Sequence, residues 1–462
     1  MKERTGRAVV WGVLLLAFAV RGVVPLAAAL VTADPQSHHA PDTKSYVALS
    51  DELGRSGRFE RGGRPELMRT PGYPVFLLLG RLADPAEPVT VALQVMLNCV
   101  TVWLVYQIAR RLFEREAVAL LAALLYALEP LSVVYSSLLL TETLYTFLLS
   151  LSLLFLVRYL ARVRGWDVVG CALSMVASAY VRPIGYGLVL LVAFCLLYRA
   201  ALSKPKSRRR LAHAFLFLAV SVTLVGGWQV RNAARTGYWG FSSVADVNLY
   251  FYQGASVLAA ERGQPYYDVQ KELGYRDEAL YLRSHPGQRT WDRARRYRFM
   301  RREGAQIVRS HLALYAQIHL KGMARTMLDP GGFELLKLFG QYPEGGGLLG
   351  AVVDEGMWGA AETLYRERPA AFWTNAALGV LLGVTLLLTA VGLLTRDFVE
   401  NRAAVGVFFI GLYLLVASGG PQATGRFRHP LMPLVCLLAG LGLWRLWRRL
   451  FRREHRRRSE VA

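Results

Sequence analysis

Asp42, Lys44 and Arg69 fall within one polar stretch, PDTKSYVALSDELGRSGRFERGGRPELMRTPGYPVFLLL from Pro41 to Leu79, wedged between two hydrophobic segments. A carboxylate beside two cations can move a group off a phosphate: the carboxylate takes the proton of an acceptor hydroxyl, and the cations stabilise the phosphate that leaves. Tyr46, Leu49 and Leu53 share one helical stripe, so the first half of the stretch predicts a short helix lying at a membrane surface. Asp42 stands at the mouth of that helix. Its ordinary role there would be an N-cap, although Ser45 rather than Glu occupies the capping-box position. Arg69-Thr-Pro-Gly-Tyr-Pro74 predicts a rigid turn, because each proline fixes its own φ and pushes the preceding residue extended. The ordinary role of Lys44 and Arg69 is contact with anionic lipid headgroups. His38 and His39 with Asp34 or Asp42 could hold a divalent metal, at loose spacing. Phosphate-loop, dinucleotide and HExxH signatures are absent, which disfavours chemistry driven by a cytosolic nucleotide.

The elements that must position these residues are membrane helices. Of 462 residues 54% are apolar, in runs near the length of a bilayer crossing. The net charge of +22 is explained by Lys and Arg flanking apolar runs, not by nucleic-acid binding. Cys99, Cys171, Cys195 and Cys436 all lie in apolar runs without metal-ligand spacing, so disulfides are not expected. The basic start before Ala8–Val31 predicts an uncleaved first span entered from the cytoplasm. Arg21 inside it must face protein or snorkel, with an anchoring role. Pro88–Ala109 returns, and the tract from Ala117 to Val157 is too long for one crossing, so it predicts two helices with a turn near Ser136 to Thr141. Glu129, before Pro130, reads as structural. Glu142, at the start of the next helix, is either a functional carboxylate or a helix-dipole partner.

Val168–Val181, Pro183–Leu197 and Leu211–Trp228 bring the count to seven. Residues 373–462 add Trp373–Leu394, Ala403–Ser418 and Phe427–Trp447, then a basic tail. The expectation is an all-α integral membrane protein of about ten transmembrane helices. It divides into a membrane module at 1–228, a large extracytoplasmic loop domain at 229–372 and the C-terminal spans, with both termini cytoplasmic. One amphipathic helix is expected where Val308, Leu312, Tyr315 and Met323 align, and a flexible tip at Pro343–Gly347. This threading gathers Asp42, Lys44, Arg69, Glu142, Arg182, Arg231, Arg426 and His429 on the outer side.

With these residues in order, the chain resembles the GT-C glycosyltransferases, in particular bacterial relatives of the protein O-mannosyltransferases and of the lipid A aminoarabinose transferase. Asp42 with Tyr46 is similar to the acidic residue and juxtamembrane helix of the first outer loop, and RTPGYPVFL from Arg69 to the turn that ends it. EPLSVVYSSLLLTETL from Glu129, Trp228–Asn232 and Gly425-Arg-Phe-Arg-His-Pro430 resemble further family segments. The resemblance implies a GT-C architecture and an inverting transferase in the inner (plasma) membrane. Such an enzyme carries a sugar from a polyprenyl monophosphate to an extracytoplasmic acceptor. It makes Asp42 the base, Arg69 the holder of the donor phosphate with Lys44 assisting, and Glu142 a second acidic residue. Tyr46, Arg182, Arg231, Arg426 and His429 complete the expected substrate-binding set. Asp-Thr at 42–43 replaces the family's paired Asp-Glu, and the β-trefoil insertion of the eukaryotic enzymes is missing, so a glycan or lipid acceptor is expected rather than a protein.

Two other functions suit the same sequence. A bundle of many spans can be a transporter or flippase, against which the ionisable residues gather at one interface rather than at mid-membrane. Outer arginines equally suit a polysaccharide polymerase or ligase that uses lipid-pyrophosphate donors.

Overall fold

The apolar runs are helices, as their length and composition require. The computed structural model describes residues 2–34, 36–202, 207–341, 359 and 361–461. α1 (Lys2–Thr32) leads into the first loop, which holds α2 (Thr43–Ser56), a hairpin of β1 (Glu60–Arg61) and β2 (Arg64–Pro65), and α3 (Gly72–Gly80). There follow α4 (Ala86–Phe113), α5 (Glu116–Ala127), α6 (Pro130–Ser137), α7 (Glu142–Ala161), α8 (Gly165–Val181), α9 (Gly185–Ala201) and α10 (Arg208–Thr236). The polar middle of the chain forms α11 (Val244–Asn248), a π-helical turn over Leu249–Gly254, α12 (Ala255–Arg262), α13 (Tyr266–Glu272), α14 (Glu278–Ser284), α15 (Arg293–Ser310), α16 (Leu312–Leu328) and α17 (Gly332–Leu338). The chain ends with α18 (Pro369–Leu393), α19 (Arg396–Val399), α20 (Arg402–Ala417), a 3-10 turn over Gly425–Leu431 and α21 (Met432–Val461).

Among the described residues 6 helices are long and apolar enough to cross a membrane, and the pair α5 and α6, bent by 51°, makes a seventh span if counted as one. α8, α9 and α20 coincide with three more of the expected spans but have only 17, 17 and 16 residues. At about 1.5 Å per residue, helices of that length fall short of a hydrocarbon core about 30 Å thick. The protein is an all-α integral membrane protein whose described strands are the two-residue pair β1 and β2.

α21 is the centre: 72% of its apolar window is buried, against 17% for α1 and 17% for α18, which turn most of their surface outward. α1 packs through a narrow stripe of Ala17, Arg21 and Ala28. Arg21 faces protein, as its cost in lipid demands: it donates to Ala127 O at 2.6 Å, Tyr126 O at 3.0 Å and Ser132 Oγ at 2.8 Å. Those acceptors lie where α5 gives way to α6. At the same break Glu129 caps α6, accepting from Leu131 N at 3.2 Å and Ser132 N at 2.5 Å, with Pro130 at the first helical position. Glu129 and Arg21 are therefore the two halves of one structural joint.

Two expectations change. The stripe from Val308 to Met323 does not lie on a single helix: the chain breaks at His311 (φ −133°, ψ 45°), so Val308 is buried in α15 while Leu312 is exposed on α16. His311 bridges the break through Glu261 at 3.2 Å. α10 also runs on to Thr236, past the end of the expected span Leu211–Trp228. The Gly-rich tip expected at 343–347 lies outside the described residues.

Candidate active site

The first loop is built to present its turn. Gly57 ends α2 in the left-handed region at φ 69°, the usual glycine C-cap. The chain then makes the small hairpin and reaches Glu66, whose buried Oε1 accepts three successive amides: Leu67 N at 3.1 Å, Met68 N at 2.7 Å and Arg69 N at 3.1 Å. Three converging N–H groups fix the backbone on which Arg69 stands. Directly after it, Gly72 touches the end of α8, where a Cβ would meet Tyr180 C at 2.7 Å. Only glycine allows that approach, and it brings the Arg69 turn beside Val181 and Arg182. Tyr73 donates to Gln94 Oε1 at 2.9 Å, and Gln94 donates in turn to Leu138 O at 2.8 Å, tying the turn to α4 and to the break before α7.

The other wall comes from the C-terminal part of the chain. Asp329 Oδ2 accepts from Gly425 N at 2.7 Å, and Arg428 donates to Thr326 O at 3.0 Å, Met327 O at 3.2 Å and Asp329 O at 2.6 Å. Arg426 sits between these two clamps.

On this frame the charged groups meet. Asp42 occupies the N-cap position of α2 but makes no capping bond with its side chain. Its two oxygens instead accept from Arg69 Nη2 at 2.7 Å and Arg426 Nη1 at 2.9 Å. Burial works against the charge of Asp42, yet Arg426 and Arg69 outweigh it and hold the carboxyl well below the usual carboxylate range. Arg69 also donates to Tyr46 OH at 3.1 Å and lies 4.8 Å over that ring. Arg426 and Arg182 both pair with Glu142 Oε1. The order across the site is thus Arg69, Asp42, Arg426, Glu142, Arg182, an alternation of cation and anion that ties the first loop to α7, α8 and the last span. A cavity of about 1410 Å³ opens above it, lined by Asp42, Tyr46, Arg69, Arg182 and Arg426 from the expected set.

The remaining expected residues stand elsewhere. Lys44 is exposed and does not line the cavity; two residues beyond Asp42 on a helix turn a side chain by about 200°. Glu142 is wholly buried behind Arg182 and Arg426, so it orients arginines rather than facing the cavity. Arg231 donates to Phe59 O at 2.8 Å and Glu66 O at 3.0 Å and stacks 4.7 Å from the Trp228 ring, pinning the hairpin to α10. His429 is buried away from the cavity, with Nδ1 2.9 Å from Thr146 Oγ1. His38 is bonded to Ser137 O at 2.9 Å and His39 to Glu87 at 2.9 Å, so they do not converge with Asp34 or Asp42. Among the described residues no three His, Cys, Asp or Glu side chains are grouped to hold a metal. Glu66, Gln94 and Asp329 were not anticipated. A glutamate shortly before an arginine-proline turn and an amide on an apolar helix were the signals available.

Known proteins carry the same frame. Residues 75–228, from α3 to α10, match the family model described as dolichyl-phosphate-mannose-protein mannosyltransferase. The oligosaccharyltransferase AglB from Archaeoglobus fulgidus, solved with an inhibitory peptide and a dolichol-phosphate, superposes at a TM-score of 0.52 and 14% identity over 99% of this chain and 52% of its own. Its apo form gives 0.51 and 14% over 97% and 52%. The chain has the GT-C fold. It spans about half the length of those GT-C structures, 52% in each. ArnT from Cupriavidus metallidurans, solved with undecaprenyl phosphate, aligns at a TM-score of 0.40 and 17% identity over 94% of this chain and 78% of its own. No curated protein matches significantly by sequence. The GT-C segment matched by the family model contains Glu142 and Arg182 but neither Asp42, Arg69 nor Arg426.

Proposed function

We propose that this GT-C protein is an inverting glycosyltransferase that moves a sugar from a polyprenyl monophosphate to an extracytoplasmic acceptor, a glycan or lipid rather than a protein. The observation that carries the reading is a cavity-facing carboxylate, Asp42, held between Arg69 and Arg426 at 2.7 and 2.9 Å. The dolichol-phosphate in the AglB structure supports a lipid phosphate as donor.

In the step, Asp42 accepts the proton of the acceptor hydroxyl while that oxygen forms a bond to the anomeric carbon from the face opposite the leaving group. The bond from that carbon to the phosphate oxygen breaks, its electron pair leaves with the polyprenyl phosphate, and the configuration inverts. Arg69, Arg182 and Arg426 neutralise the departing phosphate. Held by two arginines Asp42 is a weak base. A donor phosphate competes for the same guanidiniums, so its binding loosens their hold and makes the carboxylate more basic in the donor complex alone. The positive-inside bias orients this reading, with Asp42 and the loop domain at 229–372 outside and both termini inside; the proposed site is the inner (plasma) membrane.

The test is transfer by the purified full chain in proteoliposomes, with polyprenyl monophosphate sugars and their pyrophosphate counterparts offered separately and the product anomer read by NMR. Inverted product from the monophosphate alone is expected. Turnover of the pyrophosphate only would make the protein a polymerase or ligase. Solute movement in sealed vesicles without any donor would make it a transporter.

A further inference from the structure

The cavity is larger than the roughly 300–1,000 Å³ of a typical small-molecule site, at about 1410 Å³. It has two zones. The inner one, around Asp42, is paired throughout, since each of its three arginines bonds Asp42, Glu142 or both. The outer one is not. Arg61 and Arg64 from the hairpin, Arg276 before α14, and Arg293 and Arg296 on α15 face it, with only Asp277 and Glu278 as acidic company.

Much of that acidic company is already engaged. Asp277 caps α14 through Leu280 N at 2.9 Å, and Glu278 takes Arg296 at 2.5 Å. Arg61 pairs with the buried Glu66 at 3.1 Å. Among the described residues Arg64, Arg276 and Arg293 have no carboxylate within ion-pair distance: Arg293 donates to Pro65 O at 3.3 Å and Tyr297 OH at 3.1 Å, and Arg276 lies 5.2 Å over the Tyr275 ring. Arg276 also holds φ at 63°, a left-handed backbone that side chains other than Gly, Asn and Asp seldom adopt. Asp42, Tyr252 and Arg276 line the same cavity, so the two zones are continuous.

Between the arginines stand Tyr252, Tyr275 and Tyr297, half-buried, offering ring faces with polar edges. Such rings give a broad apolar contact with a hydroxyl at its rim, a surface suited to the faces and hydroxyls of sugar rings. Guanidiniums without carboxylate partners call for phosphate or carboxylate groups. We infer that the outer zone binds the acceptor, and that this acceptor is an anionic saccharide whose phosphate or carboxylate groups lie on Arg64, Arg276 and Arg293 while one hydroxyl reaches Asp42. The inference rests on the transferase reading for the acceptor's role, but the binding site itself does not.

The experiment uses the full chain in neutral-lipid nanodiscs and fluorescence anisotropy with three labelled tetrasaccharides: galacturonate, its neutral methyl ester, and a phosphorylated neutral sugar. The wild type is expected to bind at least one anionic probe about tenfold or more tightly than the ester, and which one distinguishes carboxylate from phosphate. Arg64→Gln with Arg276→Gln, both at exposed positions, is expected to reduce that preference to within about twofold. Undecaprenyl phosphate binding, measured in parallel, is expected to stay unchanged in that variant and to fall in Arg69→Gln. Equal binding of ester and anionic probes, binding of none, or a preference retained by the double variant overturns the inference. Lipid phosphate binding indifferent to Arg69→Gln sinks the donor assignment instead and leaves the anion preference standing.

Discussion

Arg21 and Arg426 are both arginines that close on apolar helices, and they differ in what receives their hydrogen bonds. Arg21 is wholly buried and spends its donors on the carbonyls of Tyr126 and Ala127 and on Ser132 Oγ. Its hydrogen-bond acceptors at the helix break are neutral, and it does not line the cavity above Asp42. Arg426 is shared by two carboxylates, Asp42 and Glu142, and opens on a cavity. A buried cation held by backbone is a joint. One held by carboxylates beside a void can exchange partners when an anion enters, which is what phosphate chemistry asks for.

That contrast breaks most sharply at Asp42. Asp42→Asn keeps the shape but removes the proposed base, and transfer is expected to fall by about 10²- to 10⁴-fold in the proteoliposome assay, with unchanged expression; retained activity removes the catalytic assignment. Next comes Arg426→Lys. An ammonium cannot serve two carboxylates through one planar fork, so kcat/KM is expected to drop by about 10²-fold, with the melting temperature little altered. Arg21→Met is the mirror case: carbonyls left unpaired at the α5 to α6 break cost about 1–3 kcal/mol each. Thermal unfolding should therefore shift downward while undecaprenyl phosphate affinity stays the same, and a lost affinity at intact stability would erase the distinction.

Two smaller effects sharpen it. Because the pKa of Asp42 is lowered on folding, its contribution to stability is complete above the unfolded value near 3.9 and is lost as pH falls through the folded value. The difference in melting temperature between wild type and Asp42→Asn should be flat above about pH 5 and shrink below about pH 4. Smallest is Lys44→Ala, expected to change stability by no more than about 0.5 kcal/mol and to leave transfer within twofold, since Lys44 lies outside the cavity.

Much of the fold was legible because it is local. Hydropathy runs mark each apolar helix, Pro130 after Glu129 marks the bend, and the Arg69-Thr-Pro-Gly turn marks the return to the membrane. The site was legible in part. Asp42, Arg69, Arg182 and Arg426 meet, but Lys44, Arg231 and His429, equal to them on composition and side of the membrane, do not face the cavity. The stripe through Val308 and Leu312 shows the same limit: periodicity continued across His311, where the backbone did not.

By itself, then, the sequence determined which segments are helices, and that a charged loop carrying Asp42 follows the first of them. These follow from burying apolar side chains and satisfying backbone groups in lipid, which each segment does alone. Only the tertiary structure decided that Asp42 would find Arg426, 384 residues away, rather than Lys44 on its own helix. Partner choice depends on the angle and depth at which whole helices pack, here set by Gly72 against Tyr180 and by Asp329 against Gly425, and a list of residue types carries no such angle.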